Sequence, residues 1–595
     1  MPNFFQTMKM RKIPKIQLIS FLHFFLWSTY FTYFWSHSLW FNKMGDLVAG
    51  QINIWGDWAA HFTMGSFLAN YPQAINHSPF IINAKFSYPF LTNLISAWLI
   101  KAQVPFFLTF VIPSFLGSIA IVICLYFFYK TVFKSTAIAI LASNFFLLNG
   151  GIGFWYFVKN NFFQPNFFKT LSSPIEQYTR VDNLGIKWIN VIDSMIIPQR
   201  AFNLGFPLAL MALSLIFPLF FNKKKPSKKN VSLLTIAGLL IGLLPIIHTH
   251  SFLAVVIIIS LWSLYLILAP IQLPTKNIFT WALQKNQFSI KQEAIKIWSH
   301  FYPLLIVLIS SLMIATPLFL SFFYRQVSQH FFKYYPGWLA PEYHLNWLIF
   351  WWRNWTVFPL LAFVAWIYQL IKKKKHRLQI FLIWSPFFLL FALANLILFQ
   401  PFAWDNTKII SWASLGFSGL NAWFIYQLWQ KKYRYLWLKK MIRLLLITLI
   451  IFMTMSGIND VYYQLLTQKH NYIMYSTEEI SLSNWVKANT DKQAIWLTGT
   501  NHNHWLFNLT GRQAVMTFPG WLWTHGYNYT QTEVDVRMMY QNPEISGQLF
   551  KKYNIDYIVV GPQEKADLGA QPQNFPVNAS IIHQTQNYRI YQLSK

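Results

Sequence analysis

The sequence predicts a polytopic α-helical membrane protein of about 11 transmembrane helices with a small α/β domain at its C-terminal end. Three observations support this fold class. The 595-residue chain is 55% hydrophobic and only 11% charged, whereas soluble domains carry roughly 25% charged residues. Apolar runs of about 18 or more residues recur along most of the chain, which is the length of a membrane-spanning helix. Residues 458–595 lack such runs and have mixed helix and strand character.

The net charge of +30 is unevenly distributed. Residues 458–595 contain ten basic and ten acidic residues, so the whole excess belongs to residues 1–457. There the basic residues cluster in short loops between apolar runs, as expected for cytoplasmic loops of a membrane protein. The charge therefore indicates membrane topology, and we expect no nucleic-acid partner.

Placing the basic clusters on one side of the membrane gives a consistent topology. The basic sequence "MKMRKIPK" precedes an apolar stretch that is too long for a signal peptide and has no small-residue cleavage site, which predicts an uncleaved first helix. The predicted spans are residues 16–38, 104–129, 135–150, 202–221, two helices within 231–270 that break at "LLPIIHTHSF", 301–323, 355–371, 378–400, 408–428 and 441–457.

This topology defines the domains. Residues 1–457 form the predicted transmembrane domain, with long outer loops at 39–103, 151–201 and 324–352. Residues 458–595 form the predicted extracytoplasmic domain. Within it, "SLSNWVKANTDKQAIWLTGT" predicts a helix followed by a strand, and "YNIDYIVVG" and "RIYQLS" predict strands. Helices and strands that alternate in this way predict a small α/β unit.

Acidic residues before residue 458 lie almost entirely in the predicted outer segments. Glu293 is the exception among eight. Because ionisable groups at the membrane border are unfavourable and often functional, this one-sided set predicts an outward-facing polar cavity. The alternative is that outer loops carry the acids that inner loops lack. The seven outer acids are Asp46, Asp57, Glu176, Asp182, Asp193, Glu342 and Asp405.

The segment "GDWAAHF" in the first outer loop holds an acid and an imidazole. Asp57 and His61 are four residues apart and share one face of a helix. The carboxylate could hold the imidazole, or both could bind a metal or a substrate hydroxyl. The alternative is that Asp57 caps the helix and His61 lies at an interface. Asp46 is the other acid of this loop.

A multi-pass membrane protein with an acid in a long first outer loop and a soluble outer C-terminal domain resembles the GT-C superfamily of membrane glycosyltransferases. The resemblance covers most of the chain as architecture. Members use polyprenyl-phosphate-linked sugars, and the acid of the first loop is their usual catalytic base or metal-site residue. The resemblance therefore implies a catalytic role for Asp57, with Asp46 as the second candidate and His61 beside Asp57. Many members carry two adjacent acids in this loop, whereas Asp46 and Asp57 stand apart.

Transfer from a lipid phosphate needs a base for the acceptor hydroxyl and cations for the departing phosphate. The candidate cations are Arg200 in "IIPQRAFNLGF", Arg353, and Lys408 in "AWDNTKII". For Arg200 the alternative is that its side chain extends along apolar surface towards the membrane interface.

Further polar residues flank the predicted spans. His248 and His250 form a His-x-His pair, which can bind a metal in extended backbone. Two ligands do not make a metal site, so the favoured interpretation is hydrogen bonding to the donor or acceptor, and a divalent Mg²⁺ or Mn²⁺ cofactor remains open. Asp405 and Asn406 either cap the helix that follows or line the cavity.

The predicted outer domain contains an aromatic and polar segment, "TGTNHNHWLFNLTGRQAVMTFPGWLWTHGYNY". This composition suits sugar recognition and also suits docking at a membrane interface. We predict a docking surface that borders the cavity. Its prominent residues are His502, His504, Arg512, Trp521, Trp523 and His525.

These features favour a membrane glycosyltransferase that moves a sugar from a polyprenyl-phosphate-linked donor to an extracytoplasmic acceptor among membrane lipids. The Lys-, Asn- and Ile-rich composition favours a bacterial inner membrane, with the N-terminus cytoplasmic and the C-terminal domain periplasmic. The alternatives are a glycan ligase, a non-catalytic membrane scaffold, and a lipid or sugar transporter such as a flippase. A transporter would carry charged or broken helices near mid-membrane and an internal repeat, whereas the charges here lie mostly at helix ends.

Overall fold

The computed structural model describes residues 15–71, 76–86, 88–174, 176–221, 227–268, 289–323, 332–466, 470–575 and 579–594. The basic N-terminal sequence, most of the predicted inner loop 271–300 and the beginning of the predicted outer loop 324–352 lie outside the described residues.

Helices dominate the chain up to residue 466, with two short strand pairs. Each predicted span coincides with a helix of this part. The helices are α1 (Lys15–Ser36), α2 (Ile52–Asn70), α3 (Leu91–Lys101), α4 (Leu108–Phe133), α5 (Thr136–Leu148), α6 (Gly153–Asn161), α7 (Phe167–Ser172), α8 (Arg200–Phe221), α9 (Lys228–Ile247), α10 (Thr249–Leu268), α11 (Ser289–Leu318), α12 (Trp347–Trp355), α13 (Phe358–Lys372), α14 (Arg377–Leu396), α15 (Thr407–Gln430) and α16 (Leu436–Gln464). The strands are β1 (Leu39–Phe41), β2 (Leu47–Ala49), β3 (Lys333–Tyr334) and β4 (Ile397–Leu398).

The chain is a multi-pass integral membrane protein. Within the described ranges, seven helices are long and apolar enough to cross a membrane. Two bent pairs, α5 with α6 at 69° and α12 with α13 at 93°, raise the number to nine if each pair is one span. The predicted total of about eleven also requires α1 and α15. Helix α15 is buried from Thr407 to Trp423. Neighbouring helices rather than lipid surround that stretch, so it can carry more polar residues than a lipid-facing helix.

The long apolar block 231–270 breaks where the sequence predicts. Helix α9 ends at Ile247, and His248 has an extended backbone before α10 begins. Helix α8 packs closely against this break, because a Cβ on Gly205 would lie 2.5 Å from Cβ of His248. The break is therefore a fixed feature of the bundle.

The two ends of the helical bundle carry different parts of the chain. One end carries the turns that join α4 to α5 and α13 to α14, together with residues 431–435, and is rich in lysine. We call this end the basic face. The opposite end carries α2, α3 and residues 470–594, and we call it the domain face.

Residues 470–594 form an α/β region, as predicted. Its helices are α17 (Thr477–Asn489), α18 (Pro519–Thr524), α19 (Thr530–Gln541), α20 (Gly547–Lys552) and α21 (Pro562–Leu568), and its strands are β5 (Tyr472–Tyr475), β6 (Ile495–Leu497), β7 (Gln513–Ala514), β8 (Ile555–Val560), β9 (Ala579–Gln584) and β10 (Arg589–Leu593). Five strands form one sheet in the order β7-β6-β8-β10-β9. Strands β7, β6 and β8 are parallel, and β10 is antiparallel to β8 and β9. The predicted helix–strand pair α17–β6 and the predicted strands β8 and β10 are confirmed. Strand β9 and helix α19 were not predicted.

The C-terminal region packs directly on the first predicted outer loop. Strand β5 extends the β1–β2 hairpin, and Thr63 Oγ1 donates a hydrogen bond to Asn508 Oδ1 at 2.6 Å. Gly511 has a φ of +64°, and a Cβ there would lie 2.3 Å from the carbonyl oxygen of Ser66. Both the left-handed backbone and the close approach favour glycine. As a result, α2 is enclosed between the bundle and the C-terminal region.

Candidate functional site

A cavity of about 500 Å³ lies on the domain face. Most of its lining comes from α2, the turn before α15 and the segment around α18, which are far apart along the chain. Its polar lining includes Asp57, His61, Tyr88, Asp405, Lys408 and His525, and its aromatic lining includes Trp55, Trp404, Trp521 and Trp523. We call it the Asp57 cavity.

Helix α2 presents Asp57 to this cavity. Gln51 caps the helix through its side chain, so Asp57 is not the helix cap. The Asp57 side chain is exposed to the cavity, and its carboxylate forms no hydrogen bond or salt bridge with any described residue. The surrounding protein desolvates the carboxylate and raises its pKa to about 6; Lys408 opposes the rise and Asp405 adds to it. A carboxylate with a pKa near neutrality is suited to general-base work.

Lys408 supplies a buried positive charge on the same cavity. Its Nζ lies 3.0 Å from Asp405 Oδ1 and donates a hydrogen bond to Gln400 Oε1 at 3.3 Å. Lys408 is only 8% exposed, and its position in the first turn of α15 holds it at the cavity wall. The cavity therefore combines a free carboxylate with an ammonium group that already has one counter-ion.

Asn406 has a different role from its two neighbours. Its Nδ2 donates hydrogen bonds to the carbonyl oxygens of Ala394 at 2.8 Å and Ile397 at 2.7 Å. Its side chain neither caps α15 nor lines the Asp57 cavity. Of the two alternatives for this turn, Asp405 lines the cavity, and Asn406 instead ties the turn to the end of α14.

His61 lines the cavity, but Asn93 rather than Asp57 holds its imidazole. His61 Nδ1 donates to Asn93 Oδ1 at 3.0 Å. Burial and the nearby Arg200 lower the pKa of His61 to about 3. His61 is therefore a neutral group at working pH, and of the alternatives left open for these two residues, a direct hydrogen bond between Asp57 and His61 does not form.

Arg200 lies behind His61 and outside the lining of the cavity. Its guanidinium donates to Asn93 Oδ1 at 3.0 Å and to Ser96 Oγ at 2.6 Å, and it lies 4.8 Å from the centre of the Phe110 ring. Arg200 is only 1% exposed, so its side chain does not extend to the membrane interface either. The structure does not bring this predicted phosphate ligand to the site.

Asp46 and Arg353 are also away from the cavity. Asp46 Oδ1 accepts a hydrogen bond from the backbone N–H of Thr477 at 2.8 Å, and Oδ2 accepts one from Asn42 Nδ2 at 3.0 Å. These bonds lower the pKa of Asp46, that from Asn42 most. Arg353 donates to the carbonyl oxygen of Leu184 at 2.7 Å. The sequence predicted a chemical role for each of these two side chains. In the structure each one instead holds two segments of the chain together.

His248 and His250 line a smaller cavity of about 260 Å³ that shares Lys408 and His525 with the Asp57 cavity. Their rings are 5.6 Å apart, and His248 Nδ1 lies 2.7 Å from Ser251 Oγ. The pair therefore lies beside the Asp57 cavity. Over the described ranges, no three His, Cys, Asp or Glu side chains converge as metal ligands.

Comparison with known proteins gives the fold a name. No protein-family model and no curated protein sequence matches the chain. The archaeal oligosaccharyltransferase AglB from Archaeoglobus fulgidus, in complex with an inhibitory peptide and a dolichol-phosphate, is similar with a TM-score of 0.51 and 12% identity, over 92% of this chain and 70% of AglB. The apo form of the same oligosaccharyltransferase is similar with a TM-score of 0.52 and 11% identity, over the same shares of the two chains. The chain has the GT-C fold. For ArnT from Cupriavidus metallidurans bound to undecaprenyl phosphate, the TM-score is 0.45 and the sequence identity is 10%, over 96% of this chain and 97% of ArnT.

Within this GT-C fold, the C-terminal region borders the cavity as predicted, through His502, Trp521, Trp523 and His525. Two residues of the same predicted surface are interior instead. His504 Nε2 lies 2.7 Å from Glu564 Oε1, and Arg512 donates to the carbonyl oxygen of Thr490 at 2.9 Å.

Several residues that line the Asp57 cavity were not singled out in the sequence, among them Tyr88, Gln199, Gln400 and Trp404. The two glutamines stand at the ends of apolar runs, beside "RAFNLGF" and "PFAWD". Isolated polar residues at helix ends near a predicted cavity were the signal available for them.

Proposed function

We propose that the protein is a membrane glycosyltransferase that uses a polyprenyl-phosphate-linked sugar. The observation that carries this proposal is the free carboxylate of Asp57 on the same cavity as the buried ammonium of Lys408. The GT-C fold supports it, because an AglB structure of that fold contains a dolichol-phosphate. By the positive-inside rule the basic face is cytoplasmic. The cavity then opens to the periplasm of a bacterial inner membrane.

In the proposed reaction, Asp57 accepts the proton of the acceptor hydroxyl. The acceptor oxygen forms a bond with the anomeric carbon of the sugar. The bond between that carbon and the phosphate oxygen breaks, and the phosphate leaves with the electron pair. Lys408 stabilises the negative charge that grows on the leaving phosphate, and such electrostatic stabilisation is usually the largest single contribution to catalysis.

Other residues of the cavity position these two groups. Asp405 and Gln400 hold the ammonium of Lys408 in place through the 3.0 Å and 3.3 Å contacts. Asn93 holds His61 one helical turn from Asp57, where the neutral imidazole can hydrogen-bond a sugar hydroxyl. The tryptophan rings of the cavity offer flat apolar surfaces for the C–H faces of the sugar.

The side chains of the cavity do not form a complete metal site on their own. Asp405 is paired with Lys408, so Asp57 is the free carboxylate among the described residues of the cavity. Mg²⁺ commonly binds to one or two carboxylates together with substrate phosphates. A bound divalent ion would thus be held by Asp57 and the donor phosphate, and would supply further positive charge.

The test is transfer by the purified full-length protein from radiolabelled polyprenyl-phosphate sugars to a lipid extract of the host, with and without EDTA. Asp57→Asn should lower the transfer rate by about 10² to 10⁴, the usual range for losing a general base. Asp46→Asn is the matched control, because Asp46 is an acid of the same loop outside the cavity. It should transfer at the parent rate once folded.

Transfer by Asp57→Asn at the parent rate would refute the role of Asp57. Failure of the parent with every polyprenyl-phosphate sugar and acceptor would refute the glycosyltransferase proposal. Loss of transfer in EDTA would show that the reaction requires a divalent ion.

A further inference from the structure

A second large cavity lies at the opposite end of the bundle. It has a volume of about 990 Å³ and lies between the α4–α5 turn, the α13–α14 turn and the end of α15. Lys130, Lys134, Lys373 and His376 line it. The proposed glycosyl transfer makes no use of it. We call it the basic-face cavity.

The charge of this cavity is uncompensated. No Asp or Glu is among the described residues that line it, and none of its three lysines forms a salt bridge with a residue that the structure describes. Lys130 donates a hydrogen bond to Thr136 Oγ1, so its ammonium is anchored. Clustered cations without counter-ions repel one another, which makes the cavity favourable for an anion.

Lys134 occupies a position that usually favours glycine. It ends α4 with a φ of +54°, and residues with a Cβ rarely take this left-handed conformation. Its side chain is exposed at the rim of the cavity. The chain therefore places a third ammonium at a point where glycine would end the helix with less strain.

The floor of the cavity is apolar. Trp384 and Phe133 stack there with ring centres 5.5 Å apart, and Trp423 also contributes to the lining. On one side the cavity reaches Ile19 of α1, which is 52% exposed on the outside of the bundle. An apolar floor, a cationic rim and a side open to the membrane together fit an amphiphile that has an anionic head.

The position of the cavity matches a lipid headgroup. Lys408 lines the Asp57 cavity and Gln427 lines the basic-face cavity. Their separation of 19 positions along α15 corresponds to about 28 Å of helix. This length is close to the roughly 30 Å thickness of the hydrocarbon core, so the two cavities lie at opposite membrane surfaces. Basic pockets between helices at the cytoplasmic surface are known to bind anionic lipid headgroups.

We propose that the basic-face cavity binds the phosphate of an anionic phospholipid through Lys130, Lys134 and Lys373. The shared chemistry is a phosphate group, and its source is the headgroup of a lipid such as phosphatidylglycerol or a free phosphate in the cytoplasm. This proposal does not depend on the function proposed for the Asp57 cavity.

The test is native mass spectrometry of the full-length protein in a neutral detergent, titrated with phosphatidylglycerol, with phosphatidylcholine and with inorganic phosphate. The variant Lys134→Ala/Lys373→Ala removes two exposed cations, so it should fold as the parent does, and equal melting temperatures would verify this. We expect phosphatidylglycerol to bind it roughly thirtyfold more weakly, the effect of two lysines near a membrane surface. Lys440→Ala, an exposed lysine on the basic face outside the cavity, is the matched control and should bind as the parent does.

Retention of phosphatidylglycerol in the presence of excess inorganic phosphate would identify the lipid as the source. Its displacement by inorganic phosphate would identify a free phosphate, and both results support the site. Equal binding of phosphatidylglycerol and phosphatidylcholine would overturn the proposal. An equal loss of binding in the double variant and in Lys440→Ala would overturn it as well.

Discussion

His61 and Arg200 share one hydrogen-bond acceptor. Asn93 Oδ1 lies 3.0 Å from His61 Nδ1 and 3.0 Å from Arg200 Nη1. This single oxygen joins α2 and the first residue of α8 through α3. Because Asp57 lies one turn before His61 on α2, the shared contact fixes the wall that carries the proposed base.

Arg200→Met is expected to lower stability and to leave donor binding unchanged. The variant removes a buried guanidinium that donates to Asn93, Ser96 and Ser114. We expect the free energy of unfolding to fall by about 2–3 kcal/mol, because the variant loses buried hydrogen bonds from a charged donor. Thermal melting in detergent and the KM for the donor measure the two effects. A variant as stable as the parent but unable to bind the donor would show that Arg200 reaches the phosphate.

Lys408→Met is expected to lower kcat by about 10² to 10³, the usual effect of removing one group that stabilises transition-state charge. It also leaves Asp405 without its partner at 3.0 Å, so the single variant should lose stability. Lys408→Met/Asp405→Asn should recover stability and stay inactive, because the pair is gone but so is the cation. Recovery of transfer in the double variant would contradict the proposed role of Lys408.

The pH profile of transfer is expected to report Asp57. A base acts in its deprotonated form, and the pKa of Asp57 is raised to about 6. The value of kcat/KM should therefore fall about tenfold per pH unit below that pKa and be level above it. His61 and His525 both have pKa values lowered to about 3, so they stay neutral over this range. Initial rates between about pH 4.5 and about pH 8 measure the profile, and a profile without a step near pH 6 would exclude Asp57 as the base.

Asp46→Ala is expected to loosen the contact between the first loop and α17 without changing the chemistry. The carboxylate accepts the backbone N–H of Thr477 at the start of that helix. Its removal should lower the free energy of unfolding by about 1–2 kcal/mol, because the first backbone N–H of α17 loses its acceptor. Hydrogen exchange of the Thr477 amide should become faster, while the transfer rate per folded molecule stays within about twofold. Asp491→Ala removes an exposed acid near the end of the same helix and is the control, and an equal effect of both variants would contradict the proposed role of the Asp46–Thr477 hydrogen bond.

Prediction from the sequence succeeded where local patterns suffice. Apolar length located the helices, and the break at His248 was visible as a polar interruption of one long apolar block. Asp57 was singled out by the resemblance to the GT-C superfamily, whose members use an acid of the first outer loop, and the sequence left Asp46 as the second candidate. Prediction was weakest for the cations. Arg200 and Lys408 both follow loops and lie at the beginning of helices, so the sequence does not indicate which of them faces the cavity.

The amino-acid sequence by itself determined the membrane class, the positions of the helices and the α/β character of residues 470–594. These features depend on composition and on contacts along a single segment. Only the tertiary structure decided that Lys408 faces the cavity and that Arg200 lies behind His61, because α2, α3, α4 and α8 must pack together before Arg200 is enclosed. It also decided that His525 lines the same cavity as Asp57, since hydrophobic packing brings together residues that are far apart along the chain.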